Sequence, residues 1–218
     1  MRKVYVVGGG YAYERMFKQA GFALSSSMQE ADLLCFTGGA DVSPELYGED
    51  NVGSYCSPER DKYEEQVFDW AYAHDVPMVG ICRGGQFLNV MNGGKMWQDV
   101  DNHAISGTHK AMCKYWGEIM VSSTHHQMMR PGDGGEVLVS ADLSSYRLND
   151  EGCWHVAYDE WVGLDVEVVY YKDTKSLCYQ PHPEIVNEDH QCRKHFLMLV
   201  DKLLNPLFSF SIISNASP

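Results

Sequence analysis

The first half of the chain alternates between short apolar runs and longer amphipathic stretches. Short apolar runs of this kind are typical of buried strands. They lie at 3–7, 22–24, 32–36 and 76–81. In the longer stretches apolar residues recur every three or four positions, which indicates helices. These span 12–20, 59–74 and the residues that follow Cys82. The alternation favours a three-layer, doubly wound α/β fold with a mostly parallel sheet.

The second half of the chain is richer in strand-like runs and less regular. Strands are predicted at 117–122, 136–141, 164–171 and 176–180, and a closing helix at 187–204. We expect these strands to form a smaller antiparallel portion of the fold. No stretch is long enough for a domain linker, so we expect one domain over 1–204, followed by a tail over 205–218.

Composition and charge narrow the function. The 218 residues are 44% hydrophobic, which is enough for one sizeable core. The formal net charge of -13 argues against binding to nucleic acid or to an anionic membrane, because both need a basic face. No apolar run is long enough to span a membrane, and the first residues do not form a signal peptide. Seven cysteines without a pairing rhythm indicate reduced thiols, so we expect a cytoplasmic protein.

Cys82 lies where the apolar run 76–81 gives way to an amphipathic stretch, with Gly80 and Gly84 on either side. This pattern predicts a nucleophile elbow, a sharp strand-to-helix turn that presents a reactive side chain. Glycine suits these two positions, because a side chain there would crowd the turn. The start of the following helix favours the thiolate, which is the nucleophilic form. A buried core cysteine at a strand end is the alternative.

A second strand tip is expected beside Cys82. The strand at 32–36 runs into Thr37-Gly38-Gly39-Ala40-Asp41, which offers backbone without bulky side chains. Ligands of parallel sheets bind at the carboxyl ends of the strands. We therefore expect this segment and Cys82 to line one site.

A cysteine nucleophile needs a base, and His182 is the best placed of nine histidines. It follows a predicted strand, lies between Pro181 and Pro183, and has Glu184 two residues later to orient its ring. The pattern predicts a relay from Cys82 through His182 to Glu184. The alternative is a proline-bounded turn whose histidine and glutamate point into water.

The remaining histidines and cysteines do not predict a metal site or any other cofactor. His125 and its neighbour follow a predicted strand, and they either bind substrate or belong to an ordinary loop. A second group contains residue types that bind metals: His182, His190, Cys192 and His195. Their spacing along a helix does not place them on one face, so we expect them at the surface.

Five motifs, in the right order, resemble those of class I glutamine amidotransferase-like proteins. They are Gly38-Gly39-Ala40-Asp41-Val42-Ser43-Pro44 with Tyr47-Gly48-Glu49, Arg60-Asp61, Gly80-Ile81-Cys82-Arg83-Gly84-Gly85-Gln86, Ser123-Thr124-His125-His126-Gln127 and Gln180-Pro181-His182-Pro183-Glu184. Within this superfamily the chain resembles the γ-glutamyl hydrolase branch, especially the γ-glutamyl-γ-aminobutyrate hydrolases. The resemblance covers residues 32–184 and implies a flavodoxin-like sandwich.

The resemblance also implies a role for each site residue. Cys82 would be the nucleophile, His182 the base and Glu184 its orienter. The backbone N–H groups of Gly39 and Arg83 would form the oxyanion hole. The γ-glutamyl part of a small-molecule substrate would be held by Gln86, Ser123, Thr124 and His125.

Three departures from the family pattern leave the substrate open. Pro181 stands where an aromatic residue is usual, and the segment before Gly38 is short. The aromatic-rich stretch 153–161 replaces an Asp-Gly turn and a Glu-Ala pair. Trp154 and Trp161 in this stretch either select the substrate or belong to the core.

Three functions are compatible with these motifs. The first is a free-standing hydrolase of γ-glutamyl amides. The second is a glutaminase subunit that passes ammonia to a separate synthetase. The candidate protein partners are a synthetase subunit, as this second function requires, and a second copy of the chain. The third is a non-enzymatic binding protein on the same fold, which the presence of Cys82, His182 and Glu184 together argues against.

Overall fold

A nine-stranded mixed sheet forms the centre of the fold, with helices on both faces. The computed structural model describes residues 1–155 and 165–205. The helices are α1 (Tyr11–Gln19), α2 (Pro58–Ala73), α3 (Arg83–Met91) and α4 (Gln191–Leu203). The strands are β1 (Lys3–Val7), β2 (Ala23–Leu24), β3 (Leu33–Phe36), β4 (Met78–Ile81), β5 (Lys95–Trp97), β6 (Asp99–Val100), β7 (Gly107–Cys113), β8 (Gly117–Ser123), β9 (Met128–Arg130), β10 (Gly135–Ala141), β11 (Tyr146–Asn149), β12 (Gly152–His155), β13 (Asp165–Tyr171) and β14 (Ser176–Tyr179).

The strand order of the large sheet brings three strand tips together. The order is β2-β1-β3-β4-β14-β13-β10-β7-β8. The first five strands are parallel, and the remaining four join by antiparallel pairing. Phe36 of β3 pairs with Gly80 of β4, and Tyr179 of β14 pairs with Ile81. The residues that follow β3, β4 and β14 therefore emerge side by side at one edge.

Two apolar layers confirm the predicted three-layer architecture. On one face, α1 and α4 contribute Phe17 and Phe196 to the core. On the other face, α2 and α3 contribute Phe68 and Phe87. Every residue of β3 and β4 is buried, because helices cover both faces of these strands. Such strands read as continuous apolar runs, which explains why the sequence indicates them clearly.

The helices differ from their predicted forms in two places. Helix α4 begins at Gln191 instead of residue 187, because His190 caps it by accepting the Cys192 N–H at 3.1 Å. On α2, Tyr63 shares the four-residue spacing of Val67 and Ala71 that predicts an apolar face, but it is 44% exposed. The buried face of that helix instead carries the carboxylates of Asp61 and Glu64.

Six strands were not predicted: β5, β6, β7, β9, β11 and β12. Five of them have two to four residues, too few for a periodic signal, and form the small sheets β12-β11-β6 and β5-β9. Strand β7 is longer, and every second residue points inward. One of these inward positions is occupied by His109, so the alternation does not appear as apolar against polar.

The aromatic-rich stretch is described only in part. Trp154 on β12 is 50% exposed and donates its ring N–H to Asn149 at 3.3 Å, so the core interpretation is wrong for this residue. Trp161, the predicted strand residue Leu164 and positions 206–218 of the predicted tail lie outside the described residues. Among the helices of the described ranges, none has the length and apolar character needed to cross a membrane.

Gly80→Ala should destabilise the fold by about 3 kcal/mol, because the added carbon would overpack the elbow. A Cβ at this position would lie 2.2 Å from the Gly84 carbonyl oxygen, a backbone atom that cannot turn away. Urea unfolding measures the effect. Gly53→Ala is the matched control, because its Cβ would meet nothing closer than 3.7 Å. We expect the control to change the free energy of unfolding by less than about 0.5 kcal/mol. Equal effects at both positions would contradict this account of the elbow.

Candidate active site

Cys82 occupies a sharp turn between β4 and α3. Its φ of 51° and ψ of -117° lie in a region that non-glycine residues rarely adopt. The Cys82 N–H donates to the Tyr179 carbonyl at 2.8 Å, which ties the turn to β14. A Cβ on Gly84 would lie 2.3 Å from the Phe36 carbonyl oxygen, so only glycine permits this approach to β3. The predicted elbow geometry is present, and the Cys82 side chain is partly exposed.

His182 is held by contacts on two sides of the residue. Its ring Nδ1 lies 2.6 Å from Glu184 Oε1, as the predicted orientation requires. Its backbone N–H donates to the Ser122 hydroxyl at 2.6 Å. Glu184 is buried, with 3% of its side chain exposed. The alternative, in which His182 and Glu184 merely point into water, is therefore wrong.

The side chains of Cys82 and His182 both lie close to Gly38. A Cβ on this glycine would lie 3.2 Å from His182 Cε1 and 3.6 Å from Cys82 Cβ. Burial lowers the pKa of His182, but hydrogen bonding to Cys82 and to Glu184 outweighs this effect and raises the pKa to about 10. The ring is therefore an imidazolium at neutral pH. A positive charge beside a thiol favours the thiolate.

Two side chains from helices fix the tip of β3. The Tyr13 hydroxyl accepts the Gly38 N–H at 3.0 Å. Arg60 donates to the Gly38 carbonyl at 2.9 Å and to the Thr37 carbonyl at 2.7 Å. Gly39, with φ of 138°, lies immediately beyond these contacts. Within the part of the chain that the structure describes, the N–H groups of Gly39 and Arg83 donate to no acceptor.

The Arg83 side chain points away from the thiol and into a buried ion-pair network. Its guanidinium contacts the carboxylates of Asp61 and Glu64, which are also buried. Asp61 accepts the hydroxyl and N–H of Ser43, and Glu64 accepts Arg60 Nε at 2.8 Å. Burial lowers the pKa of Arg83 to about 10, so the group remains charged at neutral pH. The network joins α2 to both strand tips.

Sequence reasoning assigned no role to Tyr13, Arg60, Asp61 or Glu64. Arg60 and Asp61 appeared only as one of the motifs. A signal for the acidic pair was available, because Asp61 and Glu64 lie in helical register with the buried Val67 and Phe68. A carboxylate at a buried position of a helix needs a cationic partner. That partner is Arg83, which lies 22 residues from Asp61 in sequence.

Three of the four predicted substrate-binding side chains are buried. Gln86 is 2% exposed and donates to Gln180 Oε1 at 3.1 Å. Ser123 donates to the carbonyl of His103. His125 is 3% exposed, and burial, followed by the charges of neighbouring histidines, lowers its pKa well below the ordinary value. Thr124 alone of the four is exposed. Their predicted contact with substrate stays a prediction.

The expectation of surface positions around the start of α4 is wrong for two residues. Cys192 and His195 are buried and lie on one face of the helix, toward β14. Tyr179 connects them, because its hydroxyl donates to the Cys192 carbonyl at 2.9 Å and lies 3.3 Å from His195 Nδ1. These residues are part of the packing between α4 and the sheet.

Sequence comparisons place the chain among amidotransferase-like proteins. A family model described as Peptidase C26 matches residues 9–136. YvdE of Lactococcus lactis, named as a candidate glutamine amidotransferase-like protein, is 32% identical over 188 residues, covering 76% of this chain and 71% of the relative. PB2B2.05 of Schizosaccharomyces pombe, named as a candidate glutamine amidotransferase, is 30% identical over 208 residues, covering 89% and 79%.

Solved structures share the fold at lower sequence identity. A candidate GMP synthase subunit from Thermoplasma acidophilum aligns with a TM-score of 0.62 and 19% identity, covering 92% of this chain and 94% of that chain. A glutamine amidotransferase from Thermotoga maritima aligns with a TM-score of 0.58 and 14% identity, covering 98% and 88%. The α/β sandwich predicted from the sequence is thereby confirmed.

At neutral pH, iodoacetamide should alkylate Cys82 at least about tenfold faster than Cys153, because the imidazolium of His182 favours the thiolate. Cys153 is the matched control, since it is exposed whereas Cys82 is only partly so. Peptide mass spectrometry over time measures both rates. His182→Ala should slow labelling of Cys82 and leave Cys153 unchanged. Equal rates in the wild-type protein would contradict a pairing of Cys82 with His182.

Proposed function

The chain belongs to the peptidase C26 family and is a glutamine amidotransferase-like hydrolase, and on that premise we propose that it hydrolyses γ-glutamyl amides through a thioester on Cys82. One observation carries the proposal. Cys82 occupies a strained elbow beside an imidazole that Glu184 holds at 2.6 Å, and two backbone N–H groups without an acceptor among the described residues lie at the same strand tips. Nucleophile, proton carrier and oxyanion donors are the parts that acyl transfer needs.

The first half of the reaction forms the thioester. The Cys82 thiolate attacks the γ-carbonyl carbon of the substrate, and the carbonyl oxygen becomes an oxyanion. The N–H groups of Gly39 and Arg83 stabilise this charge, with donors of this kind worth on the order of 3 kcal/mol each. As the C–N bond breaks, His182 transfers its proton to the departing nitrogen, which leaves as ammonia or an amine. Neutral His182 remains beside the acylated Cys82.

The second half of the reaction releases glutamate. Neutral His182 removes a proton from a water molecule, whose oxygen attacks the thioester carbonyl carbon. The same two N–H groups receive the second oxyanion. When this intermediate collapses, the C–S bond breaks and Cys82 leaves as a thiolate. The His182 imidazolium and the thiolate are then restored together, so protons and charges balance over the cycle.

Glu184 acts through His182 in this proposal. Its carboxylate accepts the Nδ1 hydrogen, which fixes the ring orientation and leaves Nε2 for the thiol and the substrate. It also stabilises the charged ring, as the raised pKa of His182 requires. Glu184 neither forms nor breaks a bond to the substrate, so we treat it as a positioning residue.

A glutaminase subunit that works with a protein partner is the main alternative to a free-standing hydrolase. The resemblance to a candidate GMP synthase subunit concerns the fold, and a glutaminase subunit would deliver its ammonia to a separate synthetase. We propose the free-standing hydrolase because contacts within this chain fix the tips of β3, at Gly38, and of β4, at Arg83. Purified protein should therefore cleave a γ-glutamyl compound without a partner. A mass-spectrometric screen of γ-glutamyl amines and glutamine, with Cys82→Ala in parallel, tests this. Turnover of glutamine only after a synthetase is added would favour the ammonia-supplying subunit.

Cys82→Ala and His182→Ala should each lower kcat by at least about 10³-fold, because thioester formation needs both groups. Glu184→Gln should retain measurable turnover, with a smaller loss than either of these variants, because it orients the ring without bonding to the substrate. Since the first two residues act as a unit, the Cys82/His182 double variant should be scarcely slower than either single variant. Steady-state kinetics on the best substrate of the screen measures these effects. Additive losses in the double variant would contradict the shared step.

The wild-type enzyme should lose kcat/KM as the pH rises through about 10, because His182 then loses the proton that the departing nitrogen needs. Glu184 raises the pKa of His182, so Glu184→Gln should move this alkaline limb to lower pH. Because the pKa of His182 is raised in the folded protein, the charged ring also stabilises the fold. This contribution is lost as the pH rises through about 10. A pH profile of kcat/KM for both proteins checks the shift. A limb that does not move would show that Glu184 leaves the charge on His182 unchanged.

A further inference from the structure

A cluster of three histidines and a glutamate lies inside the protein, within the antiparallel half of the sheet. Glu167 is on β13, His109 is on β7, His103 precedes β7, and His125 follows β8. Their exposed fractions are 0% for Glu167 and His103, 7% for His109 and 3% for His125. The proposed hydrolysis uses none of these side chains except His125, which the family resemblance assigns to substrate.

The cluster contains polar atoms that are buried without hydrogen bonds. Within residues 1–155 and 165–205, neither oxygen of Glu167 and neither ring nitrogen of His109 or His125 has a hydrogen-bond partner, and the same is true of His103 Nδ1. Burying such groups unpaired is unfavourable, above all for a carboxylate. Native proteins rarely leave several of them together. A cation bound among these atoms would give Glu167 and the histidines that ligate it a partner for one atom each.

The spacing of the atoms fits a tetrahedral metal ion. Glu167 Oε1 lies 3.4 Å from His103 Nδ1, 2.9 Å from His109 Nε2 and 3.9 Å from His125 Nε2. Zinc bonds of about 2.1 Å in a tetrahedron separate neighbouring ligand atoms by about 3.4 Å. The observed distances bracket this value. One ligand atom from each of His103, His109 and Glu167 lies within 4.8 Å of the other two, and His125 is outside that group.

Asp165 supplies the outer contact that metal-binding histidines usually have. Its Oδ2 lies 3.1 Å from His103 Nε2, so the ring donates from Nε2 and leaves the Nδ1 lone pair directed at Glu167. Arg147 neutralises Asp165 at 2.8 Å, and the N–H groups of Leu143 and Ser144 also donate to it. Asp165 is thus fully paired, and Glu167 is the carboxylate of the cluster that lacks a hydrogen bond.

A proton is the simplest rival to a metal ion. One histidine of the cluster would then be charged and would donate to Glu167. The nearest pair, His109 Nε2 and Glu167 Oε1, is close at 2.9 Å, but its geometry is not that of a hydrogen bond. Atoms that converge on a common centre without pointing at each other are typical of ligands around an ion.

We propose that His103, His109 and Glu167 bind one Zn²⁺ ion as a structural site. Imidazole nitrogens and a carboxylate oxygen suit zinc, and His125 Nε2, which lies 3.9 Å from Glu167 Oε1, is the nearest candidate for the fourth position. With His125 in that position, the ion would join β7, β13 and the end of β8. These elements support the candidate active site, because Ser122 on β8 accepts the His182 N–H and the Glu167 carbonyl accepts the Gln180 N–H. The inference differs from the sequence-based expectation of no metal and does not rest on the proposed hydrolysis.

The test measures zinc binding in a Cys82→Ala background, which removes the active-site thiol as a competing ligand. Protein stripped with a chelator is titrated with Zn²⁺, and metal content is measured by mass spectrometry after gel filtration. We expect one ion per chain. At a hundredfold excess of Zn²⁺ over its Kd, Tm should rise by about 5–10 °C. His109→Gln and Glu167→Gln should each weaken binding by at least about 100-fold and abolish the rise in Tm.

His195→Gln is the matched control, because His195 is equally buried, at 6%, but lies outside the cluster. It should bind zinc as tightly as its parent. The proposal fails if the stripped parent protein takes up no zinc and its Tm does not change, as a protonated histidine would predict. It also fails if His109→Gln and Glu167→Gln keep their zinc, or if His195→Gln loses it equally. The titration of the parent protein decides the question even if a ligand variant does not fold.

Discussion

The close approach of three backbone segments at the elbow is the constraint on which the rest of the site depends. Cys82 holds a positive φ. A Cβ on Gly84 would meet the backbone of β3, one on Gly85 would meet the backbone of β14, and one on Gly80 would meet the start of α3. The strand pairing sets this arrangement, since β4 lies between β3 and β14. The same pairing delivers Gly39 and His182 to the two sides of the thiol. Backbone packing therefore determines where the proposed chemistry would take place.

Buried charge then fixes the parts that packing leaves adjustable. Arg83 follows Cys82 directly, and its side chain is anchored by Asp61 and Glu64 beneath α2. Arg60 from the same helix binds the carbonyls at the tip of β3. Two adjacent strand tips thus share one helix as their support. Since breaking a buried ion pair leaves an uncompensated charge, the loss of either carboxylate should disturb both tips together.

Much of the fold was predictable because buried parallel strands and their helices have strong local patterns. Strands β1, β3 and β4 and helices α1 to α3 appear within a residue or two of their predicted positions. The elbow was predictable for the same reason, since its glycines and Cys82 are neighbours in sequence. The short strands of the two small sheets lack such a pattern. Strand β7 alternates between buried and exposed residues, but the sequence does not show an apolar–polar alternation, because the polar residue His109 occupies an inward position.

Apart from the pairing of Cys82 with His182 and with the segment after β3, contacts between distant residues were not predicted from the sequence. Tyr13 and Gly38, or Arg83 and Asp61, meet only after the sheet has formed, and no local period connects them. The cluster around Glu167 is a further example, because its four side chains come from separate segments with unrelated patterns. His195 was expected at the surface because the spacing of its group along the helix did not indicate one face, whereas packing against Tyr179 buries it. Tertiary context determines such positions.

Trapping the acyl-enzyme tests the central claim most directly. Wild-type protein is mixed with the γ-glutamyl compound that it cleaves fastest, quenched in acid during turnover and digested for mass spectrometry. Our account predicts one γ-glutamyl group on the peptide that contains Cys82, removable by hydroxylamine as a thioester should be. Turnover without an adduct in rapid-quench samples, or a γ-glutamyl group on any other residue, would contradict the role of Cys82 as the nucleophile.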